Sequence, residues 1–113
     1  MSLTDIQKQV DEWTSQFKIQ YWQPHEILAR LMEEIGELSR EINHRYGPKK
    51  KKSTEDLKDI EDEIGDIIFT LVCLANSKKI DLETAFKRTM DKCYGRDNER
   101  YEKKTINESF KKA

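Results

Sequence analysis

The chain has 113 residues, enough for one domain and short for two. Its 22 acidic and 21 basic side chains nearly cancel, which argues against a broad nucleic-acid-binding face, since such faces carry a clear basic excess. No apolar run nears the ~20 residues that span a bilayer, and the N-terminus lacks a signal-peptide pattern, so a soluble, cytoplasmic protein with no membrane contact is expected.

Charged residues make up 38% of the chain and hydrophobic ones 35%, as suits amphipathic helices with solvated backs. Leu3, Ile6, Val10, Trp13 and Phe17 are spaced three or four apart, an apolar stripe on a first helix rather than the alternation of a strand. Trp13 and Phe17 lie on that stripe and are expected in the core. Trp22, outside the periodic pattern, is the better candidate to meet a ligand. Pro24 suits the first turn of a second helix, which presents Ile27, Leu28, Leu31, Ile35, Leu38 and Ile42 and stops near Tyr46-Gly47-Pro48. Lys49–Lys52 reads as a solvated linker. Ser53 or Thr54 can cap a third helix, with Glu55 and Asp56 suited to its positive end.

The third helix runs to about Ser77. Its stretch from Ile67 to Ala75 is apolar nearly all round, which implies burial against another subunit. Asp81 is placed to cap a fourth helix with Leu82, Ala85, Phe86 and Met90 facing inward. The tail, about 101–113, is charged and expected to fray. The expected fold is all-α: a single domain built on an antiparallel helical hairpin with flanking helices. Cys73 and Cys93 lack metal-type spacing and read as plain thiols. His25 and His44 are isolated, with surface or capping roles.

The informative feature is Glu34-Ile35-Gly36-Glu37 on the second helix, matched in kind by Glu63-Ile64-Gly65-Asp66 on the third. Residues three apart share a helix face. On a wheel at roughly 100° per residue, both acid pairs fall on the same flank of the apolar arc. A short linker requires antiparallel helices, and antiparallel helices bring matching flanks to the same side. Glu37 lies 10 residues before Gly47 and Glu63 lies 10 after Ser53, so their heights agree. Converging carboxylates repel unless a cation sits among them, and an all-oxygen set suits Mg²⁺, or Mn²⁺ in its place, rather than zinc. Gly36 and Gly65 are costly inside helices; close helix approach or space for a ligand accounts for either. The competing reading is a solvated acidic stripe on a helical oligomerisation or adaptor module, because Glu33, Glu41, Asp59, Glu61 and Asp62 crowd the same helices.

The segment from Glu33 to Glu41, followed by Glu63-Ile64-Gly65-Asp66, resembles the MazG-like nucleotide pyrophosphohydrolases, whose signature is Glu-x-x-Glu and, some tens of residues later, Glu-x-x-Asp. The resemblance runs from Ile6 to about Arg100 and is closest to the small single-domain bacterial members. It implies a four-helix-bundle-like, all-alpha nucleoside triphosphate pyrophosphatase that assembles as a homodimer or homotetramer. It also implies Glu34, Glu37, Glu63 and Asp66 as magnesium ligands. The family's later basic motif corresponds to Lys92, Arg96 and Arg100, which would meet substrate phosphate. Water would attack the alpha phosphorus to give a nucleoside monophosphate and pyrophosphate, with Glu33 or one of the ligand carboxylates accepting its proton. Removal of surplus or non-standard nucleotides is the implied role. The phosphoribosyl-ATP pyrophosphohydrolases, which share the architecture, are the neighbouring substrate class.

Overall fold

Four α-helices account for the regular structure of the described residues, 1–48 and 56–105 of this computed structural model: α1 Leu3–Thr14, α2 Pro24–Tyr46, α3 Asp56–Ser77 and α4 Leu82–Gly95. No strand occurs among the described residues. The lysine linker, the Ser53 or Thr54 cap and the end of the tail lie outside them. None of the described helices is long and apolar enough to cross a membrane. The chain forms two compact units, Met1–Leu82 and the segment from Glu83 onward.

Local chemistry sets the helix ends. Ser2 and Asp5 form a reciprocal capping box at α1: the Asp5 amide donates to Ser2 Oγ at 3.0 Å and the Ser2 amide to Asp5 Oδ2 at 3.1 Å. α1 ends at Thr14, whose buried hydroxyl donates to the Val10 carbonyl at 2.8 Å, so Phe17 falls beyond the helix that its spacing suggests. Pro24 opens α2, where its missing amide proton costs nothing, and the Gln23 amide donates to Glu26 Oε1 at 2.9 Å. Gly47 closes α2, and a side chain there would bring its Cβ to 2.5 Å from the Asn43 carbonyl oxygen.

In the first unit α2 pairs with α3, and α1 packs on α3. The buried stripe of α2 is Ile27, Leu31, Glu34 and Glu41, one face at helical spacing with carboxylates in place of apolar residues at positions 34 and 41. On α3, Ile60, Thr70, Val72 and Ala75 are buried. Many other apolar residues are left uncovered: Leu28, Met32, Ile35 and Ile42 on α2, and Ile64, Ile68 and Leu71 on α3, are exposed. Burial on this scale of side chains is worth about 1.5–3 kcal/mol each, so the single chain leaves much hydrophobic stabilisation unused. No residue of α4 is buried: Leu82, Ala85 and Met90 are intermediate and Phe86 is exposed, contrary to the inward face expected of them. Within the described part of its own unit no second helix lies against that face.

The end of α3 is tied to α1 by Gln7. Its Nε2 donates to Asn76 Oδ1 at 2.9 Å and to the Ile80 carbonyl at 2.8 Å, and its Oε1 accepts from the Leu82 amide at 3.0 Å. The helix terminates through Lys79, at φ 56°, with the Ile80 amide returning to the Ala75 carbonyl at 2.8 Å. Left-handed backbone at this position favours glycine. Lys79→Gly is therefore expected to stabilise the fold by about 0.5–1 kcal/mol, seen as a higher urea midpoint at unchanged slope.

Candidate functional site

The buried glutamate of the α2 stripe is the centre of the site. Glu34 is 2% exposed, Glu37 stands one turn later on the same helix, and Glu63 faces them from α3. One carboxylate oxygen from each of the three lies within 4.8 Å of the others. Arg30, one turn before Glu34, donates from Nη2 to Glu34 Oε1 at 2.7 Å and reaches Glu33 Oε2 at 3.6 Å through Nη1. The second oxygens of Glu34 and Glu63 are sealed from solvent without a hydrogen-bond partner. Buried carboxylate oxygens without donors are costly. Burial, reinforced by the carboxylates of Glu37 and Glu34, pushes the Glu63 pKa up to about 7. Two orphaned anionic oxygens beside a third acid are the donor set that a hard divalent cation satisfies.

Asp66 is exposed and is not among the three. It lines the same cavity as Glu34, and its backbone carbonyl accepts from Thr70 Oγ1 at 2.8 Å. Glu33 is exposed on α2 beside the Arg30 guanidinium. A methyl group added at Gly36 or Gly65 would meet nothing within 4 Å. Close helix approach inside the chain is therefore not what keeps these positions free of side chains.

A cavity of about 870 Å³ opens beside the acids. Glu34, Arg30 and Ile27 line it from α2, and Asp66, Phe69, Thr70 and Cys73 from α3. Its aromatic wall corrects one expectation. Trp13 and Phe17 are not core residues: they are 56% and 48% exposed and line the cavity together with Tyr21 and Trp22. Trp13 stacks edge-on against Phe17 at 5.0 Å and against Phe69 at 6.0 Å between ring centroids. The helix stops at Thr14, so the stripe leaves the core where the periodic pattern continues. Trp22 lines the same space.

Sequence reasoning missed Arg30 and Lys18, the two cationic residues in the cavity lining; the spacing of four from Arg30 to Glu34 was the available signal. Lys92, Arg96 and Arg100 belong to the second unit. There Arg96 Nε pairs with Asp97 Oδ1 at 2.9 Å and Arg100 Nη1 with the same oxygen at 3.3 Å. Asp97 is drawn below its usual carboxylate range by the hydrogen bond from Arg96. Burial pushes the Cys73 thiol up, in keeping with an unreactive thiol.

Residues 22–101 match the model of the MazG nucleotide pyrophosphohydrolase domain. The chain is 54% identical over 103 residues to the protein YpjD of Bacillus subtilis strain 168, covering 91% of this chain and 93% of that one. Among solved structures it resembles that of Bacillus subtilis YpjD, described as a candidate pyrophosphatase, with a TM-score of 0.77 and 56% identity over 81% of this chain and 94% of the other. It also resembles a Bacillus-conserved MazG protein, described as a nucleotide pyrophosphohydrolase, with a TM-score of 0.71, 47% identity and coverage of 81% and 88%.

The raised Glu63 pKa has a definite sign in stability. The folded, metal-free chain holds a proton on Glu63 up to about pH 7, whereas the ordinary value is 4.5. Between these two values the folded state binds more protons, so the stability contributed by this group is complete below the lower one and is lost as pH rises through the upper. Urea melts of metal-free protein should show stability falling across that window and a smaller fall in Glu63→Gln. At pH 8 the Glu63→Gln variant should be the more stable of the two without metal, and should gain less from added Mg²⁺. Equal responses to pH and to Mg²⁺ in both proteins would show that Glu63 is not under this stress.

Proposed function

The chain belongs to the MazG nucleotide pyrophosphohydrolase family, and on that footing we propose that it is a Mg²⁺-dependent enzyme converting nucleoside triphosphates to a monophosphate and pyrophosphate. The observation that carries this reading is the junction of two features at Glu34. The carboxylate belongs to the three-acid cluster and also lines the aromatic cavity. A nucleotide has the matching halves, an apolar stacking base and a polyanion that needs cations beside it.

The acid set fits magnesium because its donors are all oxygen and two of them are buried without partners. Glu34, Glu37 and Glu63 would hold the ion, with Asp66 joining from one turn further along α3. Bound there, Mg²⁺ supplies charge neutralisation on the phosphate oxygens and activation of water. The protein's own groups then have distinct tasks. Arg30 keeps Glu34 Oε1 occupied, which leaves Oε2 for the cation. The aromatic wall formed by Trp13, Phe17 and Trp22 packs against the base. Glu33 or a carboxylate of the cluster takes the proton from the attacking water as the bond from the alpha phosphorus to the bridging oxygen breaks and pyrophosphate leaves. Lys92, Arg96 and Arg100 are assigned to substrate phosphate on family resemblance, and Mn²⁺ is an alternative metal because it too accepts an all-oxygen donor set.

The proposed assembly is a homodimer or homotetramer. It is supported by the exposed apolar residues of α2 and α3, which a monomer would leave in water. Nucleotide-pool housekeeping in the cytoplasm is the proposed role.

Standard and modified (d)NTPs, with phosphoribosyl-ATP included, should release pyrophosphate rather than orthophosphate when Mg²⁺ is present. Orthophosphate as the first product would overturn attack at the alpha phosphorus. Turnover of none of the panel would return the chain to the adaptor reading. Glu37→Gln and Asp66→Asn should each lower kcat on the order of 100-fold with helix content by circular dichroism unchanged; wild-type rates in either would remove that residue from the site.

A further inference from the structure

Residues 17–22, all lining the large cavity, come from the connection between α1 and α2. This segment has neither helix nor strand backbone to hold it. Side-chain hydrogen bonds to α1 and α3 hold it. Tyr21 Oη donates to Asp11 Oδ1 at 2.8 Å and accepts from Asn76 Nδ2 at 2.9 Å. Gln20 Nε2 donates to the same Asp11 oxygen at 2.9 Å and to the Asp11 carbonyl at 3.2 Å. Asn76, near the end of α3, is itself held at both ends of its amide: Oδ1 accepts from Gln7 Nε2 at 2.9 Å and Nδ2 donates to the Gln7 carbonyl at 3.0 Å.

Donor and acceptor counting shows that position 76 needs an amide. The Tyr21 hydroxyl has one proton and gives it to Asp11, an acceptor when ionised, so it can only accept from position 76. The Gln7 carbonyl likewise requires a donor. A carboxylate of the same shape would set an acceptor against an acceptor at both contacts. Asn76 lines no part of the large cavity, and its influence on the cavity runs through Tyr21.

We propose that Asn76 is a positioning residue for base recognition. By fixing Tyr21 it sets the cavity wall carrying Phe17 and Trp22, against which the base packs. The proposal rests on the nucleotide reading of the cavity given above.

The test uses the full chain with Asn76→Asp and the milder Tyr21→Phe, which keeps the ring and removes only the hydroxyl. Binding of the four α,β-imido deoxynucleoside triphosphates is followed by quenching of tryptophan fluorescence, Mg²⁺ binding by calorimetry, and kcat and KM on the matching dNTPs. Both variants should raise KM and the analogue dissociation constant by about tenfold and narrow the spread of affinity among the four bases, with kcat within about twofold and Mg²⁺ affinity unchanged. Wild-type affinity and base preference in both variants would overturn the proposal. So would parallel loss of Mg²⁺ binding, kcat and analogue binding in Tyr21→Phe, which marks a general collapse. Wild-type protein that binds the analogues without turning over dNTPs contradicts the hydrolase reading, while the variants' binding still tests the positioning role. Wild-type protein that binds no analogue overturns both.

Discussion

Charge crowding between α2 and α3 is the constraint around which the first unit is organised. A core stripe that could have been wholly apolar carries a glutamate at its centre, 2% exposed, with two further carboxylates whose oxygens lie within 4.8 Å of its own. One guanidinium, half in solvent, is paired with the buried acid. Partial neutralisation of this kind leaves a residual cost that an apolar residue would not incur, and it is met by proton uptake on Glu63 in the absence of anything stronger. Stability is given up locally to keep these carboxyl groups facing one another, the kind of charge crowding that gathers at functional sites.

The helices and the convergence of Glu34, Glu37 and Glu63 were legible because each rests on short-range geometry. Period 3.6 places acids three apart on one face, and a short linker sets the helix direction. Pro24, Tyr46 and Ser77 marked boundaries that the structure keeps. The aromatic wall was not legible in the same way. Trp13 and Phe17 satisfy the periodic pattern, yet Trp13 opens onto the cavity from the last turn of α1 and Phe17 lies beyond its end, and no periodicity records where a stripe runs out of neighbours to cover it. Arg30 was overlooked because a single basic residue among many on a solvated-looking face carries no mark until its partner is known to be buried. Phe86 looked like a core residue for the same reason in reverse, since an amphipathic pattern says which face is apolar but not whether anything covers it.

The cavity illustrates a division of labour between regular and irregular backbone. The acids sit on long helices, whose backbone hydrogen bonds hold them to fixed heights. The aromatic wall sits mainly on a connection secured by side-chain amides and a phenol, with far fewer constraints. Substitutions along this connection can reshape what packs there without disturbing the spacing of the acids. Loops tolerate such change better than the helices that they connect.

Gly36 and Gly65 have a consequence for how robust this chain can be made. Each sits inside a continuous helix at a cost of about 1 kcal/mol relative to alanine, and neither is shielded by neighbouring atoms of the same chain. Within one chain, two methyl groups would firm these helices without touching the hydrophobic interior, so the reason for glycine lies in what meets this surface from outside the chain. Alanine at either position would then trade resistance to warming against whatever that outside contact requires.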